Sequence, residues 1–136
     1  VRVVFDTNII VSGILSARGA ARALLDLARL GHITLVTSPV LLDELEDVLT
    51  RFVPRAAAGE IRSAVEEIAD VVGPVEVPSV TRDPDDDHVL ATATAGNVAY
   101  IVSRDHDLLT LGAYQEIPIL APAPALHTVR AQLERY

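Results

Sequence analysis

The side chains in this sequence best suited to chemistry are carboxylates, and they recur at four separated places. Asp6 closes the apolar run VRVVF, and Glu44 and Glu46 lie in SPVLLDELEDVL. Asp83, Asp85, Asp86 and Asp87 crowd into RDPDDDHVLATA, and Asp105 and Asp107 follow AYIVSR. Carboxylates brought together repel one another and raise each other's pKa unless cations neutralise them. Two divalent ions would balance four such charges, and an all-oxygen ligand set suits Mg²⁺ or Mn²⁺. A pair of ions about 3.5–4 Å apart can clamp the attacking and leaving oxygens of a phosphodiester. Hydrolysis assisted by one or two such ions is the chemistry this pattern points to.

Composition removes most alternatives. The chain has no cysteine, which excludes disulfides, thiolate zinc sites and thiol nucleophiles. Every basic residue is arginine, which excludes a Walker-type phosphate loop, a Schiff base and a lysine general base. His32, His88, His106 and His127 show no ligand spacing on one helix and are assigned to the surface or the framework. A hydrophobic share of 50% against 22% charged residues is that of a folded chain, and 136 residues fit a single domain spanning 1–136. The net charge of −8 argues against broad electrostatic attraction to nucleic acid. It does not exclude a nucleic-acid enzyme whose carboxylates are neutralised by bound cations. No apolar run approaches the ~20 residues of a membrane span, so a cytoplasmic location without membrane association is expected.

The elements that must position these acids alternate between strand and helix. Val1–Asp6 reads as a buried parallel strand, and TNIIVSGILS as a short apolar turn or helix. Ala20–Leu30 has near-helical spacing with Gly31 as a stop, and Ile33–Ser38 is a second strand. Ser38 and Pro39 form a cap-then-proline signature for a helix to about Arg51. A further helix is expected over Ala57–Val72, and a short strand at Val75–Val77. Asp83–Pro84 repeats the cap signature for a helix to about Ala95, closed by Gly96 and Asn97. Ala99–Ser103 and Ile117–Leu120 complete the strands, and Leu126–Leu133 is a final helix. This alternation predicts an α/β fold: a mostly parallel central sheet with helices on both faces, a three-layer α/β/α sandwich. In such sheets function gathers at the carboxyl ends of the strands, where Asp6 and Asp105 stand.

Each acid also has a plainer reading. Asp6 could cap the following turn, but a carboxylate ending a central strand is costly unless paired, hydrogen-bonded or metal-bound, and Asn8 adds a second polar group. On a helical wheel Glu44 borders the Leu41, Leu45 and Val48 stripe, while Glu46 borders its opposite edge, so the wheel does not choose between them. Asp83 suits an N-cap, and Asp86 at the third helical position imitates a capping box. Asp85 and Asp87 complement the helix dipole. Val89, Leu90 and Ala93 define a buried face that includes Asp86, with Asp87 about 100° away. Asp105 and Asp107 could form a simple turn or cap.

Four segments together resemble the PIN-domain ribonucleases: FDTNIIVSGILS, TSPVLLDELEDVL, RDPDDDHVLATATAG and YIVSRDHDLL. The branch is that of toxin components of toxin–antitoxin systems, VapC-like, and the likeness runs from Val3 to about Leu120. The resemblance implies a PIN-like fold and Mg²⁺- or Mn²⁺-dependent hydrolysis of RNA phosphodiesters. It implies an antitoxin protein as partner and permits a homodimer. Residue by residue, it carries the four catalytic acids onto Asp6, Glu44, Asp86 and Asp105, with Thr7 and Asn8 supporting the first. The family's third acid stands seven residues before a helix alanine, which pairs Asp86 with Ala93; another register leaves Asp87 as a metal ligand. Asp83 matches an additional acid of this branch, and Asp107 is an accessory. The implied chemistry is in-line attack of an activated water, leaving 5′-phosphate and 3′-hydroxyl ends. Arg82 and Arg104, each beside one of these acids, are candidates for positioning phosphate or are solvated ion-pair partners.

Other acid-site families fit less well. A haloacid-dehalogenase-type phosphatase requires an aspartate where this chain has Asn8, and a receiver domain requires a lysine. The remaining alternative is a catalytically silent PIN-like module that only binds RNA or a protein partner.

Overall fold

In the computed structural model, which describes residues 1–73 and 76–135, six strands form one sheet in the order β3-β2-β1-β4-β6-β5. The strands are β1 (Arg2–Phe5), β2 (Thr34–Thr37), β3 (Asp70–Val71), β4 (Tyr100–Val102), β5 (Ala113–Tyr114) and β6 (Ile117–Leu120). All pairings are parallel except β5 with β6, a tight hairpin whose turn residues Gln115 and Glu116 take positive φ. The helices are α1 (Thr7–Leu15), α2 (Ala20–Arg29), α3 (Pro39–Leu49), α4 (Arg55–Ile68), α5 (Pro84–Gly96), α6 (His106–Leu111) and α7 (Pro122–Leu133).

Because side chains alternate across a strand, the register fixes two cores. Val3, Phe5, Leu35 and Val102 face one layer, where Ile9 of α1, Leu24 of α2, Leu45 of α3, Val65 of α4 and Val129 of α7 close over them. Val4, Val36, Ile101 and Ile119 face the other, covered by Val89, Leu90 and Ala93 of α5 and Leu108 of α6. The expected three-layer α/β/α arrangement is the observed one. Central strands buried on both faces explain why these runs are continuously apolar instead of alternating.

Several expectations change in detail. The segment after β1 is a full helix, and α4 begins at Arg55 and stops at Ile68, because Asp70 and Val71 pair with β2 as the third strand. The strand expected at Val75–Val77 lies in part outside the described residues, and Glu76 and Val77 carry no strand pairing. The antiparallel β5 was not foreseen; two residues are too few for a periodicity to show. Ser38 stands at the N-cap position of α3 without capping through its side chain. Its buried hydroxyl instead meets Thr92 Oγ1 of α5 at 2.8 Å.

Candidate metal centre

Asp6 and Asp105 both emerge at the carboxyl edge of the sheet. Phe5 pairs with Val102, so the next residues on the two strands, Asp6 and Ser103, lie side by side. Ser103 is completely buried, and its hydroxyl donates to Asp6 Oδ2 at 2.9 Å while accepting from the Asp105 backbone N–H at 2.9 Å. One serine therefore ties the two strand-end acids together. Asp6 occupies the N-cap position of α1 but makes no side-chain cap bond, so the simple capping reading does not describe it. Its side chain is buried, and its pKa is raised, first by that burial and then by the charges of Asp105 and Asp83, against the lowering effect of the Ser103 hydrogen bond.

The second half of the site comes from helix starts. Asp83 caps α5 by accepting from the Asp85 N–H at 3.0 Å, with Pro84 as the first helical residue. The capping box does not form: the Asp83 N–H is taken by Thr81 Oγ1 at 3.2 Å, which leaves the Asp86 carboxylate free of that duty. Asp86 is 5% exposed, and its Oδ2 is buried without a hydrogen-bond partner. Oxygens of Asp86, Asp105 and Asp107 lie within 4.8 Å of one another. Burial, then a carboxyl–carboxyl hydrogen-bond contact with Asp105, and then the charges of Asp105, Asp6 and Asp83, push the Asp86 pKa up to about 7. Asp105 also caps α6, accepting from the Leu108 N–H at 3.1 Å.

Glu44 reaches the same end of the sheet from α3, where its Oε2 accepts from the Thr7 hydroxyl at 3.1 Å. Its pKa is raised to about 7, chiefly by burial, with Asp85, Asp6 and Asp83 adding repulsion and Thr7 opposing it. Glu46 is engaged elsewhere, with Arg62 of α4 at 3.1 Å. The geometry separates the two glutamates that the wheel left equivalent. Asp85 is exposed, yet its charge is felt at Glu44, so it rims the site as well as complementing the α5 dipole.

Other candidates sit around this group with different partners. Asp87 is as buried as Asp86, but its Oδ1 accepts from the backbone N–H groups of Val80 at 3.2 Å and Thr81 at 2.8 Å. Arg82 pairs with Asp107 at 2.8 Å, Arg104 donates to Ser12 Oγ at 2.9 Å, and Asn8 is exposed on the first turn of α1. Sequence reasoning missed Ser103. Its only signal was a hydroxyl between an apolar strand and an acid, which is too common to be noticed. The donor set is all oxygen, and an unpartnered buried carboxylate oxygen among mutually repelling acids is what a bound divalent cation would satisfy. The residues present therefore fit Mg²⁺ or Mn²⁺.

Comparison with known proteins agrees with the fold. The family model for the PIN domain matches residues 2–107, and the chain belongs to that family. PIN domains are generally nucleases and typically use divalent metals. Three solved structures share the fold. VapBC2 from Rickettsia felis, bound to a DNA fragment from its promoter, is 12% identical with a TM-score of 0.64, covering 89% of this chain and 98% of that one. FitAcB from Neisseria gonorrhoeae is 15% identical with a TM-score of 0.58, covering 89% and 98%. PAE2754 from Pyrobaculum aerophilum is 14% identical with a TM-score of 0.59, covering 96% and 90%. A sequence search of curated proteins gives no match. Among the described residues no helix is long and apolar enough to cross a membrane.

Proposed function

We propose that this chain is a divalent-metal-dependent endoribonuclease and the toxin of a toxin–antitoxin pair. The observation that carries the enzymatic reading is the unpartnered Asp86 Oδ2 in a cluster with Asp105 and Asp107, with Asp6 repelling both Asp86 and Glu44. Membership of a nuclease family supports it, and the similarity to VapBC2 and FitAcB, both toxin–antitoxin complexes, supports an antitoxin partner.

Asp6, Glu44, Asp86 and Asp105 would hold Mg²⁺ or Mn²⁺, with Asp107 as an accessory. A divalent ion bound there supplies a water of lowered pKa and a counter-charge for phosphate oxygens. The protein's own part is to hold the acids still. Ser103 fixes the rotamer of Asp6 and the backbone of Asp105, and Thr7 fixes Glu44, so little reorganisation is left when an RNA phosphodiester arrives. No lysine is present to act as a general base, and the acids themselves can pass protons to and from water.

The test is cleavage of single-stranded or structured RNA by purified protein. Activity is expected with Mg²⁺ or Mn²⁺, arrest with chelator, and loss in a folded Asp6→Asn variant. A wild-type cleavage rate in Asp6→Asn refutes the reading. A protein that binds no metal by calorimetry belongs to the silent, binding-only class.

A further inference from the structure

Asp87 has a role that its neighbours do not share. It is buried beside Asp86, but its Oδ1 is committed to two consecutive backbone N–H groups, those of Val80 and Thr81. Thr81 in turn donates through Oγ1 to the Asp83 carbonyl at 2.8 Å and accepts from the Asp83 N–H. These bonds tie residues 80–83 to the first turn of α5. The Arg82 side chain reaches from that turn across to α6. There its Nη2 meets Asp107 Oδ1 at 2.8 Å, with 86% of the side chain still exposed. A guanidinium has five donors in a planar fork, so one contact to Asp107 leaves most of them facing solvent. The mouth of the site is otherwise acidic, and a guanidinium there can hold a phosphate next to the one that the metal would bind.

We propose that Asp87 is a positioning residue, not a metal ligand: through Val80 and Thr81 it fixes Arg82 beside Asp107, where the guanidinium grips a phosphate of the RNA. The proposal rests on the nuclease reading for its substrate. Asp87 acts as a hydrogen-bond acceptor, so asparagine, which keeps an oxygen at Oδ1, can replace it and alanine cannot. A metal ligand would be impaired by asparagine as well as by alanine, because asparagine removes the charge a cation needs.

The experiment measures affinity for a fluorescent single-stranded RNA with Mg²⁺ by anisotropy, in an Asp6→Asn background that silences cleavage. Mn²⁺ calorimetry and amide hydrogen exchange at Val80 and Thr81 are measured alongside in the otherwise unaltered chain. Arg82→Ala and Asp87→Ala are each expected to weaken RNA binding about tenfold, and the double variant no further, since both remove the same contact. Asp87→Ala speeds exchange at Val80 and Thr81; Asp87→Asn keeps exchange, RNA affinity and Mn²⁺ affinity near those of the parent. Loss of Mn²⁺ affinity in Asp87→Asn overturns the proposal, as does RNA binding indifferent to Arg82→Ala, a substitution on an exposed side chain that leaves the core intact. Wild-type protein that binds RNA but never cleaves it with Mg²⁺ or Mn²⁺ refutes the nuclease reading and leaves the Asp87–Arg82 contact to RNA standing. A parent that binds no RNA defeats both.

Discussion

Ser103 places a single hydroxyl between two acids that repel each other, donating to one side chain and accepting from the other's backbone. Removing it leaves the Asp6 carboxylate buried with one donor fewer, at a cost of about 1–3 kcal/mol. Ser103→Ala is therefore expected to lower Mn²⁺ affinity and RNA cleavage by roughly 10–100-fold, the range for groups that orient metal ligands. Ser103→Thr keeps the hydroxyl and is expected to restore most of both; calorimetry and initial rates check this pair. Asp86→Asn is expected to reduce Mn²⁺ affinity by at least tenfold, because the orphaned Oδ2 loses its charge. At this scale the sequence was informative about residue type and poor about partner. Asp86 and Asp87 are adjacent, chemically identical and equally buried, and only their hydrogen bonds tell them apart.

The elements carry the acids to one edge because each strand ends where the sheet's carboxyl side begins. Two devices set the spacing of α5. A Cβ on Gly96 would collide with Val36 Cγ1, so a larger residue there would push the helix or the Val36 side chain out of place. At the other contact, the Ser38–Thr92 hydroxyl pair joins the start of α3 to the middle of α5, and thus the helix of Glu44 to the helix of Asp86. Gly96→Ala is expected to destabilise the fold by about 1–3 kcal/mol through overpacking, seen as a lower midpoint in urea. Thr92→Val keeps the shape but strands the Ser38 hydroxyl, costing about 1–3 kcal/mol, and Ser38→Ala added to it recovers part of the loss. The cap-then-proline signatures located both helix starts correctly, because the backbone conformation they favour is local. What Ser38 does with its hydroxyl was not legible, since Thr92 lies far along the chain.

Across the whole molecule, crowded acids tie stability to pH and to metal. Asp86 and Glu44 have pKa values raised from about 4 in the unfolded chain to about 7 in the fold, and Asp6 is raised as well. Between those values the folded state binds more protons than the unfolded one, so stability falls as pH rises from about 4 to about 7. Metal-free protein is expected to melt at a higher temperature at pH 5.5 than at pH 7.5, by roughly 3–5 °C for each kcal/mol involved. Saturating Mg²⁺ or Mn²⁺ is expected to raise the melting temperature more at pH 7.5 than at pH 5.5, and Asp86→Asn to flatten the metal-free pH dependence. Calorimetric scans at the two pH values, with and without metal, check all three.

The main strand–helix alternation, the parallel sheet and the four acidic stations were legible in the sequence, because hydrophobic periodicity and helix-start chemistry are local properties; the short elements β3, β5 and α6 were not. The exclusion of thiol and lysine chemistry needed only composition. Tertiary structure alone decided which carboxylate oxygens converge, that Glu46 belongs to Arg62, that Asp87 holds a backbone turn, and that Ser103 couples Asp6 to Asp105. Those are contacts between residues far apart in sequence or between neighbours on different helical faces. A local pattern determines where a side chain starts, and the packing of the whole chain determines what it meets.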